Sequence, residues 1–442
     1  MTEGLNSKGC SKRVKGKTMQ IKVTSFVWAL YSILTILMGG SIGRSYMWLV
    51  TSIIILFFWE YKKGMRFPRN QLVKGYVIFV TYCTIITFIS VIVSGFARNE
   101  YIKTQLLELL ILGFTASYLA AGNTNIEEII RMVKGASWLL LIGGVVEEVT
   151  KVNWSSYMRN QEYVSQYLMK DGRIISVFSH PIGYAMFLVF CFLLALYFPY
   201  QSKNRQITYL FLLLVNLLCT KTRMAMLSIF LVLVLYELKN RNLKNVLRGK
   251  IHYSKNVIIY SAILLTVGIF IMITFKDQMN AFLDSIVNRI GQIFTRSEQG
   301  VRLGVIAGFF TDLRDKSILE ILFGRGTGYA SQYMMEYPIY YWNAAGEKIA
   351  WNETTDNMYI SILMNYGLIG FLFFLNILIK VILMMWKRQS RLESMACCGI
   401  ISLYFNLFFF EGLFWPVVMN IFGIYMAFLS RANDESRRKN RM

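Results

Sequence analysis

Histidine is almost missing from this chain, with only His180 and His252 among 442 residues. No cysteine pattern at metal-ligand spacing replaces it, so neither a zinc site nor any metal or cofactor is expected. The six cysteines do not form a disulfide framework. Cys10 lies in the N-terminal segment, Cys83, Cys191 and Cys219 in or at the ends of apolar runs, and Cys397-Cys398 begin another. Charge is also scarce: Asp, Glu, Lys and Arg make up 16% of the residues, against 55% hydrophobic ones. That balance excludes an ordinary soluble domain. The alternating pattern of a membrane β-barrel is absent as well.

What is present is a series of apolar runs, many about 20 residues long, each able to cross a bilayer as a helix that satisfies its own backbone. Twelve spans are read, near 23–40, 45–59, 74–96, 104–121, 132–149, 174–198, 207–219, 224–238, 257–275, 357–386, 394–410 and 414–430. The pair at 207–238 also reads as one hairpin broken at Thr220-Lys221-Thr222-Arg223. The expected fold is all-α: a polytopic integral membrane protein with about 12 transmembrane helices and one large extracytoplasmic loop. The organisation follows as a basic tail (1–22), nine spans (23–275), the loop domain (276–355), three spans (356–430) and a second tail (431–442). Amphipathic patterns at Asp277–Phe294 and Val301–Leu319 predict loop helices lying on the outer surface or over the bundle.

Charge sets the orientation. With the N-terminus inside, 29 of the 47 Lys and Arg residues fall on the cytoplasmic face. The other face receives 17, of which 8 lie in the 80-residue loop, where the positive-inside rule has little force. Both termini of this multi-pass membrane protein are therefore expected to be cytoplasmic. The net charge of +22 is explained by basic loops facing anionic lipid, so no nucleic-acid partner is implied.

Several charged residues gather at the outer face. His180 precedes Pro181 where the sixth span opens, as a helix-entry histidine would. Lys221 and Arg223 occupy an outer turn where topology does not demand cations, which marks a functional site. Arg289, Arg296 and Arg302 line the amphipathic part of the loop, Arg289 as part of a solvated face. Gly324-Arg325-Gly326-Thr327-Gly328 reads as a tight turn with close backbone approach, with Arg325 reaching an anion. Asp356, before Asn357-Met358-Tyr359, suits a helix N-cap. Glu147-Glu148, near the outer end of the fifth span, form a pair that reads either as at least one member facing the bundle interior to balance an arginine or as an exposed helix end.

Phe178-Ser179-His180-Pro181, Thr222-Arg223, Arg302, the Gly324–Gly328 turn and Asp356-Asn357-Met358-Tyr359 leading to Gly367-Leu368-Ile369-Gly370 occur in the order of the bacterial O-antigen ligase and polymerase superfamily. From about residue 170 to 430 the chain resembles that superfamily. The resemblance implies a membrane-embedded, metal-independent glycosyltransferase acting on a polyprenyl-diphosphate-linked oligosaccharide at the outer face. It implies a diphosphate held by Arg223 and Arg302, with Lys221, Arg296, Arg325 and Asn357 as further binding residues. Asp356 and His180 are the candidates for the base that activates the acceptor. Ligases resemble one another in a histidine before the motif asparagine; Asp356 stands there in this chain, which favours a polymerase making capsule, exopolysaccharide or O-antigen. A ligase of the same superfamily is one alternative, and a lipid-linked oligosaccharide flippase or exporter is another. Chain-length regulators and export proteins are partners by analogy.

Overall fold

The computed structural model describes residues 71–94, 126–153, 172–178, 180–240, 299–313, 316–342, 348–351, 354–386, 390–413 and 415–439. The spans read at 23–40, 45–59, 104–121 and 257–275, and the loop helix read at 277–294, lie outside them. The described residues are mostly helical. The chain is an integral membrane protein, with three helices long and apolar enough to cross a bilayer, at Gln71–Val93, Ile129–Thr150 and Met358–Met385.

The bundle is built from α1 (Gln71–Ser94), α2 (Ile126–Thr150), α3 (Pro181–Tyr197), α4 (Lys203–Cys219) and α5 (Arg223–Asn240). The segment that follows α5 adds α6 (Gln299–Asp312), α7 (Ile318–Phe323), α8 (Tyr329–Glu336) and the strands β1 (Ile339–Trp342) and β2 (Lys348–Trp351). The bundle then closes with α9 (Met358–Met385), α10 (Arg391–Leu407) and α11 (Pro416–Lys439). α3 is apolar on every side, and all its residues except Ile182 are buried, as a helix surrounded by others must be. It packs against α2, α4, α5, α10 and α11. Buried polar groups join these helices: the Tyr184 hydroxyl lies 2.8 Å from Asn216 Oδ1, and Asn216 Nδ2 donates to the Leu141 carbonyl at 3.0 Å. Inside a bilayer such cross-helix bonds replace lost water contacts.

One expectation holds and three change. The broken-hairpin reading of 207–238 holds as α4, a turn at Thr220–Thr222 and α5. The segment between α5 and α9 is not all helix, because β1 and β2 pair antiparallel with Tyr340 opposite Ala350. β-branched and aromatic residues there favour a ribbon, and Lys348 Nζ sits 4.5 Å from the centre of the diagonal Tyr340 ring. The helix expected over 301–319 ends at Asp312, and α7 starts afresh behind Ser317, whose hydroxyl accepts the Glu320 N–H at 3.2 Å. Finally, α11 runs on to Lys439, so helix continues through most of the basic tail.

α9 is not one regular helix. Gly367 has φ 64° and ψ −170°, which interrupts it about 14 Å below its outer end. The Gly324–Gly328 turn fills the break. Gly326 N donates to the Asn365 carbonyl at 2.7 Å, Ala330 N to Asn365 Oδ1 at 2.8 Å, and the Tyr82 hydroxyl to the Tyr366 carbonyl at 2.9 Å. Thr327 Oγ1 bridges Tyr366 Oη at 2.8 Å and Thr87 Oγ1 at 2.7 Å. The loop therefore re-enters the bundle and supplies the donors that the interrupted helix lacks. Irregular backbone at membrane depth is tolerated only where protein satisfies it in this way.

Candidate functional site

Polar groups gather at the C-terminal ends of α2, α4 and α10 and the N-terminal ends of α3, α5, α9 and α11. The first of them lie on the turn between α4 and α5. Lys221 is exposed there with φ 50°, a left-handed conformation that few side chains adopt, and Arg223 is the exposed first residue of α5. A helix start directs backbone N–H groups and positive dipole toward any anion placed before it. Arg173, from the segment leading to α3, lies across the turn. Its Nε donates to the Thr220 carbonyl at 3.0 Å and its Nη2 to Thr222 Oγ1 at 3.2 Å. Three cations thus meet on one tight turn, two foreseen and one not.

Behind them Glu147 is fully buried. Its carboxylate accepts Asn153 Nδ2 at 2.9 Å, Ile175 N at 3.1 Å and Ser176 N at 2.7 Å. This corrects the expectation of an arginine partner: Glu147 shapes the backbone that carries Arg173, and Glu148 pairs with Lys151. Glu147→Ala leaves two buried backbone N–H groups without an acceptor, each worth about 1–3 kcal/mol. A thermal unfolding midpoint well below wild type is the expected result, with Glu148→Ala unchanged as the control.

His180 is the N-cap of α3, and its Nδ1 accepts the Ile182 N–H at 3.1 Å. The proton of the neutral ring is therefore on Nε2. A ring whose lone pair is already engaged is a poor base. Its other face packs on Trp415, ring centres 5.0 Å apart, and Trp415 packs on Phe410 at 5.5 Å.

Those aromatics belong to the loop between α10 and α11, which also carries Glu411. Glu411 Oε2 accepts both Thr355 N and Thr355 Oγ1, each at 3.0 Å. Thr355 Oγ1 in turn lies 2.5 Å from Ser361 Oγ. Asp356 follows with φ 50°, accepting from Thr354 Oγ1 at 3.1 Å. The N-cap of α9 is Asn357, not Asp356: Asn357 Oδ1 accepts the N–H groups of Tyr359 at 3.0 Å and Ile360 at 3.3 Å. The capping oxygen must come from the residue with extended backbone, φ −150° at Asn357, and the left-handed Asp356 does not meet that condition. Asp356 is thereby released from the structural role the sequence offered it.

The remaining candidates stand apart. Arg325 is ion-paired with Glu320 at 2.7 Å and covers the Tyr329 ring at 5.0 Å. Arg302 sits on α6, whose Val305 and Phe309 pack with Ile360 and Met364 of α9. Its side chain lies outside the described residues, as does Arg296 entirely. Nearby Lys316 faces the rings of Phe309, Tyr329 and Tyr333 at 5.2–5.5 Å, and burial lowers its pKa.

Two residues escaped the sequence reading. Arg173 looked like one loop cation among several. Glu411 could have been found, because a lone carboxylate between Phe408-Phe409-Phe410 and Gly412-Leu413 is an ionisable residue in an apolar stretch.

The described residues make this a helical membrane protein with cations on the turn between α4 and α5 and carboxylates on the loops beside α9 and α10. Residues 208–375 match the O-antigen ligase family, which supports the resemblance to the O-antigen ligase and polymerase superfamily and a glycan-processing role in the membrane. The match includes Lys221, Arg223, Arg302, Asp356 and the interlocked glycines; His180, Arg173 and Glu411 fall outside it. No curated protein matches the chain.

Proposed function

We propose that this protein polymerises polyprenyl-diphosphate-linked oligosaccharide repeat units into a surface polysaccharide at the outer face of the bacterial plasma membrane, without a metal ion. The observation that carries this reading is the placement of the cationic turn and Asp356 at the same end of the bundle: Arg173, on the segment leading into α3, holds the turn, His180 at the start of α3 packs on Trp415, and Glu411 of the same loop holds Thr355 next to Asp356. Guanidinium groups bind phosphate oxygens through paired hydrogen bonds and stay charged at a membrane surface. Arg223 and Arg302 hold the diphosphate, and Lys221 adds to the field.

The hydroxyl oxygen of the acceptor sugar attacks the anomeric carbon of the donor, whose bond to the diphosphate oxygen breaks. The electron pair leaves with the polyprenyl diphosphate, where the arginines stabilise it. The acceptor proton passes to the Asp356 carboxylate. Asp356 is favoured over His180 because the His180 lone pair is held by Ile182, whereas Asn357 relieves Asp356 of capping α9.

The test is full-length protein in liposomes with a lipid-linked repeat unit, no added metal, and products resolved by size. A ladder of polymers supports the reading. A single transfer to another acceptor makes the protein a ligase, and movement of the intact lipid-linked sugar across the bilayer makes it an exporter. Asp356→Asn is expected to lose the ladder by about 100-fold or more while donor binding persists; a near-normal rate removes Asp356 from the base role.

A further inference from the structure

We propose that the end of the bundle opposite the Lys221–Arg223 turn holds a binding site for the phosphate of an anionic membrane lipid, formed by Lys134 and Arg205 at the ring of Tyr200. The site goes beyond the polymerase reading and does not depend on it, because α4 separates the two, beginning at this cluster and ending at the turn. Lys134 comes from α2, Tyr200 from just past the end of α3, and Arg205 from the first turn of α4. Lys134 Nζ stands 3.7 Å from the centre of the Tyr200 ring, and Arg205 Cζ stands 4.7 Å from the same centre. The ring attracts both cations, which repel each other. Among the described residues neither is paired with a carboxylate, and the Arg205 guanidinium donates to no acceptor. The first turn of α4 adds to the imbalance: it carries Lys203 and Arg205 and no acid, although a helix start favours anions. An anion from outside the chain would balance this arrangement.

The frame around these cations is fixed. Gln206 Oε1 accepts the Tyr200 N–H at 2.9 Å, and Gln206 Nε2 donates to the Ala195 carbonyl at 3.0 Å. Trp138 Nε1 donates to the Tyr200 hydroxyl at 2.9 Å, and both rings pack on Tyr209 with centres 5.3 Å apart. Lys134 is only 7% exposed and donates to the Phe198 carbonyl, beyond the last turn of α3. Its charge is therefore held inside, while Arg205 is exposed beside it. Groups placed in advance lose little freedom when a ligand arrives. Depth identifies the ligand. Lys134 and Trp138 lie in the first half of the membrane-crossing stretch Ile129–Thr150. Trp and Tyr rings gather where a bilayer's headgroups begin, with apolar bodies in the membrane and polar tips bonded. Arg205 covers both rings, 5.9 Å from the centre of Trp138. A guanidinium at that level meets lipid phosphates, whose oxygens it grips in pairs. Basic pockets between transmembrane helices bind anionic headgroups in this way.

The experiment titrates full-length protein in uncharged detergent micelles with phosphatidylglycerol, phosphatidylcholine or inorganic phosphate. Bound lipid is counted by native mass spectrometry, and thermal unfolding is followed in the same samples. Wild type is expected to retain phosphatidylglycerol in preference to phosphatidylcholine and to unfold at a higher temperature with it. Arg205→Gln should bind phosphatidylglycerol about fivefold more weakly, the effect of one cation near an anionic surface. Lys134→Met, which keeps the length of the side chain without its charge, should lose a similar factor. Lys348→Gln, which removes a cation from the β-ribbon, should match wild type. An Arg205→Gln protein that binds phosphatidylglycerol as tightly as wild type overturns the proposal. Equal retention of the two lipids overturns it as well, since net charge would then not be read. A stabilisation by inorganic phosphate as large as that by the lipid overturns the lipid assignment in favour of a soluble phosphate group. If Arg205→Gln does not fold, Lys134→Met decides by the same comparison. Raising the salt should weaken retention by wild type, and an affinity indifferent to salt also overturns the proposal.

Discussion

Arg223→Ala is expected to abolish polymer formation while the protein remains inserted and folded. Arg223 is exposed and opens α5 on a turn whose shape is held by Thr220, Thr222 and Arg173. Its loss should therefore leave the backbone in place and remove the charge. A single preorganised group facing the leaving diphosphate contributes about 100- to 1000-fold to turnover. Arg223→Lys should recover little of it, because an ammonium lacks the planar fork that grips two phosphate oxygens. Polymer length distributions from liposomes, alongside thermal unfolding of the same preparations, check both statements. Full activity in the alanine variant would remove Arg223 from the diphosphate site. An equal loss of stability would make the residue structural.

The largest effect on stability is expected at Gly367 and Gly324. Both have positive φ with ψ near 180°, a region open in practice only to glycine. A Cβ on Gly367 would stand 2.5 Å from the Leu322 carbonyl carbon and oxygen, and one on Gly324 2.5 Å from the Asn365 carbonyl. The obstacle is backbone in each case, so no side-chain rotation relieves it. The strain alone costs about 1–3 kcal/mol per site. The clash would also push the Gly324–Gly328 turn out of the break in α9, leaving the Met364 and Asn365 carbonyls without the donors that Arg325 N and Gly326 N supply. Gly367→Ala and Gly324→Ala should each sharply reduce the yield of folded, detergent-soluble protein. Tyr366→Phe, which removes one hydroxyl contact with Thr327 and leaves the backbone fit intact, should cost far less. Comparable losses in all three would deny the interlock its weight.

Much of this was legible in the chain. The apolar runs at 74–96, 132–149, 357–386 and 394–410 became α1, α2, α9 and α10 with ends displaced by a few residues, because hydropathy reports what each segment faces. The cations at Lys221 and Arg223 stood out because they opposed the charge asymmetry of the other loops. The glycine-rich turn announced a close backbone approach, and Gly324 makes one. The capping of α9 was misplaced by one residue, since Asp and Asn cap equally well and only backbone conformation chooses between them. The helix over 301–319 was read through a break that a local hydroxyl cap at Ser317 creates.

By itself, then, the sequence determined the membrane class, the rhythm of the helices and the residue types available for phosphate chemistry. These are local properties: an apolar period or an unexpected charge is visible within one or two turns. Tertiary structure alone decided which of those residues meet. Arg173 reaches Thr222 across 49 positions, and Glu411 reaches Thr355 across 56. The break at Gly367 acquires its donors from a turn about 40 residues earlier, on the far side of a β-ribbon. A hydrogen bond needs its partners placed within a few tenths of an ångström, and helix packing supplies that precision where sequence spacing does not.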